Sequence, residues 1–357
     1  MNNNRYARQM ILPDIGEEGQ QKLTQAKVLI VGIGGLGCPA ALYLAGAGIG
    51  HLGLIDPDRV SLSNLQRQVL YSSQDVGRPK VEAARERLLA LNPEIEIQSW
   101  AYGLNPDNAI DLVSPYDMVL DGSDNLSTRY LLNDVCRLLH KPLVHGSVYR
   151  FEGQVASFVP GGPCYRCLYP VMPPAGAMPN CAEAGVLGVL PGVVGTLQAT
   201  EVLRLILGWG EGLNGQLLLA DLKNMAFQTL ELPVDPACPA CSGQIIKIDP
   251  MAYPELLCAR DEMTVAEART KLLKGKLLAL DVRSAAEHAA GALGELWIPL
   301  PELEAKLHTL NPELDLLVYC QQGQRSARAV SLLRSHGFGR LWSLTGGYAA
   351  WTAAPEP

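Results

Sequence analysis

No segment of this 357-residue chain reaches the ~18 unbroken apolar residues of a membrane-spanning helix. The best candidate, residues 184–199, is rich in Gly, interrupted by Pro191 and too short. A basic excess is also missing. The chain carries 29 Lys+Arg against 36 Asp+Glu, a formal net charge of −7. That balance counts against nucleic acid or an anionic membrane as the main partner, because either needs a basic face. It still permits a local basic pocket for phosphates. The start, MNNNRYARQM, has no apolar h-region, so no secretory signal is expected. Cysteine is sparse, nine residues and an odd number, which excludes a dense disulfide scaffold. A reducing cytoplasm is the expected compartment, with the cysteines explained by metal or chemistry. Repeats and low-complexity tracts are missing too. What is present, 48% hydrophobic and 18% charged residues, fits a globular protein with substantial cores. The length predicts two domains at ~150 residues each.

From Val28 the chain alternates strands and helices. VLIV (28–31), HLGLID (51–56), EIEIQS (94–99), DMVLDGSD (117–124) and PLVHGSV (142–148) read as strands. Helices are predicted over residues 38–46, 79–91 and 127–140, the second stopped by Pro93. This alternation predicts a Rossmann-like, doubly wound sheet. From Gly153 the pattern changes to antiparallel strands, GQVASFVP and GQLLLADLKNMAFQTLELP, making the sheet mixed. A Gly/Pro-dense loop (160–192) and a helix from Thr196 to Leu207 lie between them. A second α/β rhythm starts near residue 260: TVAEARTKLLKG as helix, LLALDV and DLLVYC as strands, and residues 325–336 as helix. The expected division is 1–248 and 249–357, with a linker at about 243–260.

Gly32, Gly34 and Gly37 form Gly-x-Gly-x-x-Gly between the first strand and its helix. Glycines let the backbone approach phosphates, and the helix N-terminus offers free N–H groups. Asp56 ends the next strand, 19 residues after Gly37, where a carboxylate can accept ribose hydroxyls. A nicotinamide cofactor is the first reading of such a motif. Arg67 and Lys80 point instead to polyphosphate chemistry, in which departing pyrophosphate must be neutralised. DGSDN (121–125) closes a strand at its C-terminal end, where Asp124 or Asp121 can hold Mg²⁺ through one carboxylate.

Two Cys-x-x-Cys pairs, Cys164/Cys167 and Cys238/Cys241, each lie in a turn context. Four thiolates suit a closed structural Zn²⁺ site, although the 70 intervening residues exceed finger spacing; two redox-active turns are the alternative. Cys38, Cys136 and Cys258 read as small core or surface residues. Cys320 follows an apolar strand and opens CQQGQRS, with Arg325 five residues on and a helix after it. Backbone N–H groups, a helix N-terminus and a guanidinium would stabilise a thiolate or persulfide there. Among the histidines, His145 is expected to be structural. His51, His140, His288, His308 and His336 are expected at the surface or at helix ends.

RYARQ (5–9), VLIVGIGGLGC, LIDPDRVSLSNLQRQ, GRPKVEAA, DGSDN and CYRC together resemble the MoeB/ThiF family over residues 5–243. These are relatives of ubiquitin-activating enzymes that adenylate sulfur-carrier proteins. LDVR (280–283), WIPL (297–300), YCQQGQRSARA (319–329) and LTGGYAAW (344–351) resemble a rhodanese domain. The pairing is similar to the two-domain MoeB–rhodanese (MoeZ-like) proteins. The resemblance implies ATP contacts from Gly34, Gly35, Asp56, Asp58, Asn64, Arg67, Lys80, Asp124 and Asn125, with Mg²⁺ at Asp124. It implies a homodimer in which Arg8 reaches the neighbouring subunit's ATP site, and Zn²⁺ on the four paired cysteines. Cys181, in NCAEAGV, falls where the family carries a cysteine proposed to bond the carrier covalently. Cys320 with Arg325 would carry the sulfur. The implied partners are a small ubiquitin-like carrier ending in Gly-Gly and a sulfur donor such as a cysteine desulfurase or thiosulfate. Molybdopterin synthase's small subunit is the leading carrier. Carriers for thiamine, cysteine, thiolated tRNA or sulfur metabolites, and a ubiquitin-like thioester activator, are the alternatives. Two departures stand out: Gln321 replaces the basic residue that often follows the rhodanese cysteine, and AAGALGELW is read as lacking the histidine-containing HIPGA form.

Overall fold

The computed structural model describes residues 5–173, 185–210, 212–253, 256, 262–275 and 277–354. The chain forms two compact units, Met1–Ile248 and Asp249–Pro357.

In the first unit, α1 (Ala7–Met10) and α2 (Gly16–Gln25) precede β1 (Lys27–Val31). Then come α3 (Gly37–Ala47), β2 (His51–Ile55), α4 (Lys80–Leu91), β3 (Glu96–Trp100), α5 (Ala109–Val113), β4 (Met118–Asp121), α6 (Leu126–Leu138) and β5 (Leu143–Tyr149). The remainder is β6 (Glu152–Phe158), α7 (Tyr165–Leu168), α8 (Leu190–Leu207), β7 (Gln216–Asp221) and β8 (Ala226–Glu231). The sheet order is β3-β2-β1-β4-β5-β6-β7-β8, parallel through β5 and antiparallel after it. Val28 to Ile30 are fully buried, as expected of a central parallel strand covered on both faces. Strand order reverses between β1 and β4, so the crevice at their carboxyl ends is the switch point where ligands of such sheets bind.

Helix α8 begins six residues before the predicted Thr196 and takes in the last three residues, 190–192, of the predicted Gly/Pro loop. Pro191 falls in its first turn, where a missing N–H breaks no bond. By length and composition alone α8 qualifies among the described residues as a membrane span. Here it packs on α3 and β5 as a core helix, burying Val194, Ala199 and Val202.

The second unit is a five-stranded sheet of parallel pairs, β11-β10-β12-β13-β9. Its strands are β9 (Glu262–Met263), β10 (Leu278–Asp281), β11 (Leu296–Trp297), β12 (Leu316–Tyr319) and β13 (Leu341–Leu344). Its helices are α9 (Val265–Leu273), α10 (Ala285–Ala289), α11 (Leu300–Lys306), α12 (Gln324–Ser335) and α13 (Gly347–Ala353). Capping boxes at Thr264/Glu267 and Ser284/Glu287 fix the starts of α9 and α10. Sequence periodicity did not reveal β9 and β11, two residues each, or β13. Part of the expected linker lies outside the described residues.

Candidate functional site

The first candidate site is built at the carboxyl ends of β1, β2 and β4. Their register sets Val31 beside both Ile55 and Asp121, so three loops leave the sheet side by side. Gly32 takes φ +89°, and a Cβ there would lie 2.6 Å from the Gly122 carbonyl oxygen. A Cβ on Gly37 would come within 2.0 Å of the Gly32 carbonyl. The turn therefore closes only with glycine at both positions. Asp56 is buried and accepts the Ile33 N–H at 2.7 Å and the Asp58 N–H at 2.8 Å. Burial pushes its carboxyl up to about 6, against the opposing pull of Lys80. Lys80, 5% exposed at the start of α4, reaches Asp58 at 2.7 Å and Asp56 at 3.8 Å. Gly34 and Gly35 lie in the turn between β1 and α3. Arg67 is half-buried and donates to the Ser63 carbonyl at 3.1 Å, while the Asn64 side chain closes a short 3-10 turn by accepting the Ser61 N–H.

Gln68, not singled out in the sequence, is 4% exposed. Its Oε1 makes no hydrogen bond among the described residues. Its amide lies against the glycine turn, 3.6 Å from where a Gly34 Cβ would stand. An orphaned buried acceptor at this place fits a ligand donor.

Asp121 is not available to a metal. Oδ1 accepts the Ser123 N–H and Oγ–H at 3.0 and 2.6 Å, and Oδ2 meets His145 Nδ1 at 2.9 Å. Burial opposes its ionisation, but His145, Arg129 and Ser123 outweigh it and hold the carboxyl below the usual range. His145 is itself pushed down by burial. Gln198 of α8 donates to the Asp121 carbonyl at 2.7 Å. Arg129 donates to the Ser123 carbonyl at 3.0 Å. These bonds fix the loop that presents Asp124, which is exposed. A single presented carboxylate fits Mg²⁺, which keeps several waters and shares phosphate oxygens. Asn125 serves locally: its Oδ1 caps α6 by accepting the Thr128 N–H at 2.8 Å.

The two Cys-x-x-Cys turns meet. Cys164–Cys238 and Cys167–Cys241 sulfurs lie 3.5 Å apart, and all four fall within 4.8 Å of one another. Tetrahedral Zn–S bonds of ~2.3 Å require about 3.8 Å between sulfurs, whereas a disulfide needs about 2.05 Å. The residues thus fit Zn²⁺ rather than two disulfides. The first knuckle is anchored to α6: Asn133 accepts the Tyr165 N–H at 2.8 Å, and Arg166 grips Asp134 at 2.7 and 2.6 Å. Cys38 and Cys136 are buried core thiols, both pushed up by burial, Cys38 to about 12. Cys181 and Cys258 lie outside the described residues.

In the second unit Cys320 is 1% exposed at the end of β12. Its sulfur accepts the Gly323 N–H at 3.1 Å and faces Ser326 Oγ at 3.7 Å. The Cys320 carbonyl accepts the Tyr348 N–H at 2.8 Å, and a Cβ on Gly347 would lie 2.4 Å from that carbonyl. Arg325 forms a forked bond with Glu287, at 2.7 and 2.5 Å, and also interacts with the Cys320 sulfur. Beneath the loop, fully buried Asp281 accepts Arg283, His288 at 2.9 Å and Tyr319 Oη at 3.0 Å. Arg283 also contacts Gln321, at 3.4 Å, and stacks over Tyr348.

The expectation about the missing histidine is corrected. Residues 288–292 read His-Ala-Ala-Gly-Ala. His288 does lie in the last turn of α10, half-buried, where it is fixed by Asp281 and stacked on Trp297 at 4.9 Å. The Ala-Ala in place of Ile-Pro hid it from motif reading.

Arg8 is exposed on α1. Gln9 donates to the Ala47 carbonyl at 3.1 Å, tying α1 to the C-terminal end of α3, and Tyr6 Oη accepts at 2.8 Å from Asn92, at the end of α4, which also donates to the Ala45 carbonyl of α3. An 11-residue helix separates that end from the glycine turn, a span of roughly 16 Å.

The ThiF family profile matches residues 6–240, and the rhodanese-like domain profile matches 264–354. The sulfur carrier protein adenylyltransferase of Thermus thermophilus is 52% identical over 246 residues, 67% of this chain and 91% of its own. The adenylyltransferase and sulfurtransferase MOCS3 of Drosophila sechellia is 42% identical over 379 residues, spanning 99% of this chain and 83% of its own. Among solved structures, E. coli MccB with ATP superposes with a TM-score of 0.59 at 27% identity, covering 68% of this chain and 75% of its own. The chain belongs to the ThiF family, and a rhodanese-like domain follows its ThiF unit.

Proposed function

We propose that this enzyme adenylates the C-terminal carboxylate of a small ubiquitin-like sulfur-carrier protein and then supplies sulfur from a Cys320 persulfide. The observation that carries the reading is one chain holding both a glycine turn flanked by Asp56, Lys80 and Asp124 and a cysteine cradled by its own loop. The names of the relatives, one of them an adenylyltransferase and sulfurtransferase over the full length, support it.

In the first step the carrier's carboxylate oxygen attacks the α-phosphorus of ATP, and pyrophosphate leaves with the electrons of the broken P–O bond. Asp56 would accept the ribose hydroxyls, while Arg67, Lys80 and Asn64 hold the phosphates. Gly34 and Gly35 let the backbone approach, and Asp58 sets the position of Lys80. Asp124 would hold Mg²⁺, which supplies charge neutralisation on the phosphates. Arg8, tied to the far end of α3, would serve the site of a second copy in a homodimer. The four paired cysteines would hold structural Zn²⁺.

In the second step the terminal sulfur of the Cys320 persulfide attacks the acyl carbon, and AMP leaves. The resulting acyl disulfide is opened by a thiol attacking the Cys320 sulfur, for which Cys181 is our candidate. The thiocarboxylate departs with the electron pair, and a reducing thiol reopens the disulfide left behind. Molybdopterin synthase's small subunit is the carrier we favour, in the cytoplasm, with a cysteine desulfurase or thiosulfate as candidate sulfur sources.

The test is ATP–pyrophosphate exchange dependent on a Gly-Gly-ended carrier, together with mass analysis of that carrier. Cys320→Ala is expected to keep the exchange and abolish the replacement of carrier oxygen by sulfur. Loss of both activities in a folded variant, or exchange without any carrier, would count against the division of labour.

A further inference from the structure

Two guanidinium groups border the Cys320 loop, and each already has a carboxylate. Arg283 is matched by Asp281 at 2.7 Å, and Arg325 by Glu287 through two bonds. Glu287 is held in place independently of Arg325. As the third residue of α10 its Oε2 accepts the Ser284 Oγ–H at 2.7 Å and N–H at 3.0 Å. Arg325 first, and Ser284 next, lower its carboxyl to about 2, so it is anionic throughout the neutral range. The rest of the loop, Gln321 to Gln324, is uncharged. Besides Arg325, whose charge Glu287 already matches, the groups touching the sulfur, the Gly323 N–H and the Ser326 hydroxyl, are neutral dipoles. With Cys320 ionised, two cations stand against two carboxylates and a thiolate. The cradle is therefore net negative before a donor arrives.

Sulfur loading has one chemistry for all sulfane donors. The Cys320 thiolate attacks the donor's terminal sulfur and one S–S bond forms. The donor's own bond to that sulfur breaks, and the leaving group keeps the pair: sulfite from thiosulfate, a thiolate from a persulfide. No net oxidation occurs. The donors differ in charge. Thiosulfate brings two negative charges and its leaving group removes two, whereas a persulfide brings at most one at the reacting end. Like charges in a partly desolvated cleft repel more strongly than in water.

We propose that Glu287 is a specificity-determining residue of the sulfurtransferase site. By neutralising Arg325 it selects persulfides, with one negative charge or none, over the thiosulfate dianion. The inference rests on the reading of Cys320 as the sulfur carrier and deepens it by naming the donor class.

The test uses the full chain with thiosulfate and with methanethiosulfonate, which has a methyl group in place of one anionic oxygen and releases methanesulfinate. Cysteine persulfide provides a third probe, with sulfur addition to Cys320 read by mass spectrometry. Each kcat/KM is normalised to the donor's reaction with a small thiol. Wild type is expected to favour methanethiosulfonate at least about tenfold, and Glu287→Gln to raise the thiosulfate value about tenfold while moving the other less than about threefold. Equal preference in wild type, or equal effects of the variant on both donors, overturns the proposal. Glu287→Asp keeps an acid at the capping position while drawing it back from Arg325. It is expected to shift the ratio the same way by a smaller factor, and no shift in this folded variant also overturns the proposal. If none of the three probes adds sulfur to Cys320, the underlying reading of Cys320 falls, a result distinct from a donor preference that Glu287 does not control.

Discussion

Replacing Arg283 by Met removes the main counter-charge of a fully buried carboxylate while preserving most of the apolar stem. In wild type Asp281 receives Arg283 Nε and Nη2 at 2.9 and 2.7 Å, together with His288 and Tyr319. Burial raises its carboxyl, but Arg283 and His288 more than compensate and hold it below the usual range. Breaking one side of such a pair strands a buried charge, at a cost of about 3–5 kcal/mol. In a domain of roughly 100 residues each kcal/mol moves Tm by about 4–8 °C, so a fall of at least about 12 °C is expected. The assay is thermal unfolding of the full chain, followed by the fluorescence of the second unit's Trp297, Trp342 and Trp351. The pH dependence separates charge from packing. In wild type the lowered Asp281 contributes stability that is present above the unfolded carboxylate value and lost as pH falls through its depressed folded value. In Arg283→Met the stranded carboxylate is relieved by its own protonation. The loss relative to wild type should then be larger at pH 8 than at pH 5. A loss below about 1 kcal/mol, or one equal at both pH values, would refute the reasoning.

The raised Asp56 gives the opposite sign. Its protonated form contributes stability that is present below the ordinary value of 3.8 and lost as pH rises through about 6. In its proposed role Asp56 accepts the ribose hydroxyls in its ionised form, so the KM for ATP should fall as pH rises from 5 to 7, and Asp56→Asn should flatten that dependence. Zinc analysis should find one ion per chain. Removing it with a chelator, or replacing Cys164 by Ser, should lower the first unit's Tm and free the remaining thiols for titration, whereas unchanged thiol reactivity would exclude the site. Arg8→Ala and Lys80→Ala proteins should each be inactive in pyrophosphate exchange. Mixed in equal amounts and allowed to exchange subunits, they should recover about a quarter of wild-type activity, because half the dimers hold one complete site. No recovery after demonstrated subunit exchange would argue that Arg8 does not act across subunits.

Local pattern alone made much of this protein legible. The parallel strands β1 to β5 are short apolar runs bounded by turn residues, and the glycines from Gly32 to Gly37 mark a tight strand-to-helix turn. The change to antiparallel pairing after Gly153 was visible because the strand spacing shortens to a hairpin. The motifs also carried the two-family resemblance that the profiles bear out. Strands β9 and β11, two residues each, offer no periodicity to detect. The early start of α8 was hidden because Pro191 reads as a breaker until its place in the first turn is known.

Long-range neighbours decided the rest. Residue pattern alone left Asp121 and Asp124 as alternatives, and could not show that Asp121 is already engaged, because its partner His145 lies 24 residues away on the adjacent strand. Two Cys-x-x-Cys turns separated by 70 residues become one sulfur cluster only when α7 and the segment after β8 meet. The sequence fixes Arg325 as the only cation in the loop from Cys320 to Ser326. Whether its charge is free or matched depends on Glu287, 38 residues earlier. Chain composition determines which charges exist; only the packed fold determines which of them cancel, because Coulomb and hydrogen-bond energies depend on distance and burial rather than on order along the chain.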